Sequence, residues 1–103
     1  MKKLLKELKG KICEFTWDIF DIDNGEVAIL EDFDYNLIKI RTCLGYSYLL
    51  PYSGVMRIAE ANPENVEKYL DYVEKAKNDP SFQGDYKKED KGYIVIKRKR
   101  KDV

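Results

Sequence analysis

From Ile12 onward, Cys13, Phe15, Trp17 and Ile19 alternate with Glu14, Thr16 and Asp18, the period of two that a strand with one buried face requires. Lys11 to Phe20 is therefore predicted as a strand. Ahead of it, Leu4, Leu5 and Leu8 fall on one side of a short helix over Lys3 to Lys9, which Gly10 ends. Behind it, Asp21-Ile22-Asp23-Asn24-Gly25 carries the Asn-Gly pair of a tight hairpin. Glu26 to Glu31 and Leu37 to Thr42 read as the next two strands, divided by the polar turn Asp32-Phe33-Asp34-Tyr35-Asn36. Leu44-Gly45 breaks the chain again. Tyr46 to Leu50 and Val55 to Ala59 then read as a fourth and fifth strand around Pro51-Tyr52-Ser53-Gly54, whose Pro and Gly favour a sharp reversal.

Short strands joined by brief turns predict a small closed or nearly closed barrel, which removes most free sheet edges. The pattern then changes period. Asn62-Pro63 supplies an N-cap and a first-turn proline, and Val66, Tyr69, Leu70 and Val73 recur at helical spacing, so a helix is predicted from Pro63 to about Lys77. Its apolar face is expected to pack on the barrel, a subunit interface being the competing use. Asn78-Asp79-Pro80 ends it, residues 78–92 form a polar loop, and Tyr93-Ile94-Val95-Ile96 reads as a last strand. The predicted fold is mainly β with added helices (α+β). It is one domain over residues 1–96, with a barrel core at about 3–60 and a basic tail at 97–103.

Length and composition agree with a single packed unit: 103 residues, 44% hydrophobic and 13% aromatic. A domain of this size exposes much of its surface, so association with copies of itself is favoured. No apolar run approaches the roughly 20 residues that span a bilayer, and the lysine-rich start resembles no export signal, so a soluble, cytoplasmic protein without membrane contact is expected. The two cysteines, Cys13 and Cys43, are too few for a disulfide framework and are expected to be reduced, half-buried thiols. With no histidine in the chain, neither a metal site nor a bound cofactor is expected.

The same absence removes the commonest general base near neutral pH. There is no Gly-rich phosphate loop, Cys-x-x-Cys pair or Gly-x-Ser-x-Gly elbow. A non-enzymatic protein with no catalytic residues is expected, paired carboxylates being the one catalytic arrangement left open. Asp21 to Glu26 superficially matches a calcium loop, but its Gly comes early and no terminal acid has the right spacing. Asp32, Asp34 and Lys39 suggest a metal-dependent nuclease only until Leu37 is seen where a Glu is needed.

Charge sums to zero from 19 basic and 19 acidic residues, yet it is segregated. Lysines 2, 3, 6, 9 and 11 open the chain and Lys97, Arg98, Lys99, Arg100 and Lys101 nearly close it, whereas Ile12 to Ile38 holds acids but no Lys or Arg. If the ends meet in space, the surface is dipolar and suits an anionic ligand or head-to-tail assembly. The basic run serves either as a nucleic-acid backbone contact or as a solubilising tail.

The short helix, the five bent strands and the segment Phe33-Asp34-Tyr35-Asn36-Leu37-Ile38-Lys39-Ile40 resemble the Sm-like (LSm) family over about Lys3 to Glu60. That resemblance implies an Sm-like, SH3-like barrel assembled into a ring, with a loop between the second and third strands that stacks and hydrogen-bonds a base. Here the Asp34 to Asn36 spacing is shorter than the family's, and Pro51-Tyr52-Ser53-Gly54 stands where an Arg-Gly-Asp-like turn belongs. On this reading Tyr35 stacks a base, Asn36 pairs with a base edge, and Tyr52 with Ser53 lines the opposite wall. The expected function is an oligomeric module binding RNA or small nucleotides. Two alternatives stay open: a phage-type antagonist that sequesters a cyclic-nucleotide signal, or one whose acidic flank blocks a host protein by direct contact.

Overall fold

The computed structural model describes residues 2–17, 25–82 and 94–95. In order, the elements are helix α1 (Lys2–Leu8), strands β1 (Ile12–Trp17), β2 (Gly25–Phe33), β3 (Leu37–Arg41) and β4 (Ser47–Pro51), a single 3-10 turn (Tyr52–Gly54), strand β5 (Val55–Glu60), helix α2 (Pro63–Asn78) and strand β6 (Ile94–Val95). The hairpin at 21–24, the strand residues 18–20, the loop over 83–92, Tyr93, Ile96 and the tail 97–103 lie outside the described residues.

The chain is a small α+β protein built on an antiparallel sheet ordered β4-β3-β2-β1-β5, with β6 joined to β2. The sheet ends at β4 and β5, which do not pair with each other, so the expected closure is not made by strand pairing. β2 is the organising strand. Gly25 to Ile29 pairs with β1, Ile29 to Phe33 pairs with β3, and the register shifts between Leu30 and Asp32. A bulge of this kind adds a residue on one strand and bends it, which lets one strand serve both halves of the sheet. It also corrects the predicted turn: Asp32 and Phe33 continue the strand past the bulge, leaving a shorter connection to β3.

Apolar side chains divide between the two faces of this bent sheet. One face packs Leu5 and Leu8 of α1 with Cys13, Phe15, Ala28, Leu30, Ile38 and Ile40. The other packs Val27, Cys43 and Ala61 with Tyr69 of α2. Period-two alternation sends neighbours such as Val27 and Ala28 to opposite cores, and both are fully buried. Both cysteines are free and fully buried, deeper than the half-buried thiols expected. Burial pushes the Cys13 thiol up to about 11, which keeps it protonated and unreactive.

α2 begins as its sequence requires: the Asn62 side chain accepts a 2.8 Å bond from the Asn65 N–H, and Pro63 occupies the first turn. A second tie comes from β1, where Glu14 Oε2 accepts from the Asn62 N–H at 2.9 Å and from the Asn65 side-chain amide at 3.1 Å. The Tyr69 hydroxyl donates to the Arg41 carbonyl at 2.9 Å, fastening the middle of the helix to the end of β3. Leu70 departs from expectation. It is 56% exposed, and Tyr72 takes its place against the sheet with Val66 and Val73. Gly10 and Gly45 have φ of +85° and +92°, so both turns use a conformation that other residues adopt at a cost.

Candidate ligand-binding site

The turn between β2 and β3 is held rigid by one side chain. Asp34 Oδ1 accepts from the N–H groups of Asn36 at 2.7 Å and Leu37 at 2.8 Å, while the Asp34 N–H donates to the Leu37 carbonyl at 2.9 Å. This Asx-type arrangement satisfies the turn from within. The Tyr35 side chain, at its tip, is 74% exposed. Asn36 is also exposed, and its carbonyl accepts a 2.8 Å bond from the Tyr52 N–H.

That last bond brings together the residues singled out in the sequence. It seats the Tyr35–Asn36 turn against the Tyr52–Gly54 turn, although the two are separated by β3 and β4. The four candidates do not play equal parts. Tyr35, Asn36 and Ser53 are exposed, whereas the Tyr52 ring is half-buried against the α1-side core and its hydroxyl oxygen is inaccessible. Tyr52 contributes packing and its backbone N–H to this junction, and Ser53 is exposed beside it. Lys97, Arg98, Lys99, Arg100 and Lys101 fall outside the described residues.

A groove of about 200 Å³ adjoins the Tyr35 turn, lined by Asp32, Phe33, Asp34, Leu37, Lys39 and Leu49. Sheet register explains it: Asp32 lies opposite Lys39 and Lys39 opposite Leu49, a row across three strands on one face. Leu49 is 63% exposed. Asp32 accepts from the Phe33 N–H at 2.9 Å and pairs with Lys9 at 3.2 Å, and these two contacts hold its carboxyl below the usual range. Leu37 and Leu49 were legible as a signal, because Leu37 shares the period-two set of Lys39 and so places an apolar residue on the polar face.

Sequence reasoning did not single out Glu26. It belongs to the inward set with Ala28 and Leu30, lies opposite Phe15, and is only 3% exposed. One of its oxygens, Oε2, is inaccessible and has no hydrogen-bond partner. Loss of solvent pushes its carboxyl up to about 8, so it is neutral at pH 7.

Comparisons with protein-family models, with curated proteins and with solved structures each found no match. Among the described residues, no helix is long and apolar enough to cross a membrane.

Proposed function

We propose that this protein is a non-enzymatic binding module that holds an unstacked base, from RNA or a small nucleotide, between the Tyr35–Asn36 and Tyr52–Ser53 turns. The carrying observation is the 2.8 Å bond from the Tyr52 N–H to the Asn36 carbonyl, which sets the two turns side by side so that their exposed side chains border one surface. Tyr35 offers an exposed ring on a turn locked by Asp34, so stacking costs little ordering on binding. Asn36 offers donor and acceptor groups to a base edge, and Ser53 offers a hydroxyl across from it.

The order β4-β3-β2-β1-β5, the bent second strand, the leading helix and the 3-10 turn before β5 support the Sm-like reading. In that reading β4 of one copy joins β5 of the next, and repetition of this head-to-tail contact closes a ring. Burial of the exposed Leu49 on the β4 edge would be part of the gain.

Purified protein extracted for small molecules tests this directly: a nucleotide identified by absorbance and mass spectrometry supports it. Tyr35→Ala should weaken binding of a short oligoribonucleotide by about 1–3 kcal/mol with the melting temperature unchanged. Equal losses of binding and of thermal stability would make Tyr35 structural and refute its stacking role.

A further inference from the structure

Residues 42–56 hold no Lys, Arg, Asp or Glu, fifteen positions in a row in a chain that is 37% charged. At the centre of this stretch is β4, which has β3 on one side and, among the described residues, no strand on the other. Edge strands ordinarily carry a charge or a bulge that keeps other strands off. The opposite edge does: β5 bears Arg57 and Glu60, and its pairing with β1 is bulged. β4 has neither device.

The backbone of β4 shows what its open side can accept. Bonds from the Thr42 N–H to the Tyr46 carbonyl at 2.9 Å and from the Tyr52 N–H to the Asn36 carbonyl at 2.8 Å fix the phase of the β3–β4 ladder. Alternate residues of an antiparallel strand turn N–H and C=O to the same neighbour, so Tyr48 and Leu50 serve β3 while Ser47, Leu49 and Pro51 turn theirs to the open edge. Proline has no N–H, which leaves that edge two donors, Ser47 and Leu49, and three acceptors. Leu49, the middle residue, is also 63% exposed.

We propose that β4 pairs with β4 of a second copy, antiparallel across a two-fold axis at Leu49, to make one continuous sheet. Full overlap of Ser47–Pro51 with itself sets Leu49 against Leu49 and Ser47 against Pro51. Each Leu49 N–H then meets the other Leu49 carbonyl and each Ser47 N–H the other Pro51 carbonyl, which uses every donor on the edge. The missing N–H of Pro51 falls at the end of the overlap. The two exposed leucines cover each other, and Tyr46, 54% exposed, comes beside Tyr52 of the other copy. Charge does not oppose the contact: Lys39 lies opposite Leu49, so the two Lys39 side chains start three strand spacings, about 14 Å, apart, beyond the screening length of about 8 Å. A two-fold contact closes at two copies, and one this short belongs with weak interfaces. The pairing goes beyond the base-binding reading and does not depend on it, since both turns keep their places. It takes the edge that a head-to-tail ring would use, so the two assemblies exclude one another.

Sedimentation of the full chain without nucleotide, from about 10 μM to about 1 mM, tests the pairing across the range of weak association. The mass should double and rise no further. Over the same range, amide exchange followed by nuclear magnetic resonance should slow at Ser47 and Leu49 in proportion to the fraction dimerised. Leu49→Cys under mild oxidation should give a disulfide-linked dimer, because an opposed hydrogen-bonded pair has its Cα atoms about 5.5 Å apart, within disulfide reach. Ser47→Cys should not link, since its two copies lie roughly 14 Å apart along the paired strands. The native thiols, Cys13 and Cys43, are buried and do not compete. The wild-type measurements decide even if a variant fails to fold: a monomer at the highest concentration, a species larger than a dimer, or a dimer whose Ser47 and Leu49 amides exchange as fast as the monomer's overturns the pairing. Equal cross-linking at the two positions overturns it too. Oligoribonucleotide binding is measured separately, so failure of the dimer and failure of base binding are told apart.

Discussion

Replacing Glu26 by Gln should stabilise the protein, and the gain should grow with pH. The isostere keeps the size and a buried polar end but cannot ionise. In the wild type, the carboxyl moves from its ordinary 4.5 to about 8 on folding, so between those values the folded chain binds a proton that the unfolded chain has released. Stability therefore falls as pH rises from 4.5 to 8 and then levels. At about 1.4 kcal/mol per pH unit, the wild type forfeits about 3 kcal/mol by pH 7 and about 5 by pH 8.5. Against a total of roughly 5–15 kcal/mol for a domain, that is a large share.

Urea unfolding of both proteins at pH 5, 7 and 8.5 measures the effect as a difference. The advantage of Glu26→Gln should widen by about 4 kcal/mol from the first pH to the last if the sheet stays shut. Taking the difference between the two proteins cancels other groups that titrate in this window, and there are few of them: the chain has no histidine, and burial pushes the folded-state Cys13 thiol up to about 11 and raises the Tyr69 hydroxyl. Parallel pH profiles for the two proteins would refute the reasoning, because they would mean that Glu26 meets water or a cation in the folded state.

Asn62→Ala removes the side-chain cap of α2 but leaves the backbone bond to Glu14, so it should cost about 1 kcal/mol in urea unfolding; a loss under about 0.3 would mean that Glu14 alone anchors the helix. Leu49→Asp places a charge on the exposed edge of the sheet and should shift the protein towards monomer in light scattering, while a wild type that is already monomeric at micromolar concentration removes the ring. Truncation after Ile96 should flatten the salt dependence of oligoribonucleotide binding yet preserve base preference; loss of all measurable binding would leave the folded domain a scaffold for its tail.

Elements whose apolar period was clean could be read directly. The α2 boundaries follow from Asn62-Pro63 at one end and Asn78-Asp79-Pro80 at the other, and they agree with the structure to one residue at the C-terminus. The bulge in β2 was not legible, because Asp32 and Asp34, coming straight after Glu31, look like a turn in any window that counts polarity. Their side chains are instead engaged: Glu31 with Arg41 and Ser47, Asp32 with Lys9, and Asp34 with its own turn. Leu70 misled for the opposite reason, since helical spacing fixes an angular stripe but not which edge of it meets the sheet. The Tyr35 segment was legible as a turn from residue types, Asp34 and Asn36 above all. Its pairing with the Tyr52 turn depended on a tertiary hydrogen bond that no local pattern encodes.

The segregation of charge along the chain does not survive folding in the described residues. Glu14 is committed to the start of α2, Glu31 to Arg41, Asp32 to Lys9 and Asp34 to backbone N–H groups, while Glu26 is buried. From the basic side, Lys9 and Lys11 are taken by Asp32 and Glu60. Exposed pairs of this kind add little stability, but each cancels the field of both partners beyond about 8–10 Å in physiological salt. An acidic flank that imitates nucleic acid needs carboxylates free to face a partner, so the internal pairing weakens the case for an inhibitor acting by mimicry. Among the described residues, what stays exposed at the candidate site is uncharged, the Tyr35 ring with Asn36 and Ser53, and the sequence adds the basic run from Lys97 to Lys101. On the proposed reading, base identity is read by the first and phosphate by the second, which is why salt and sequence should act on binding through different parts of the protein.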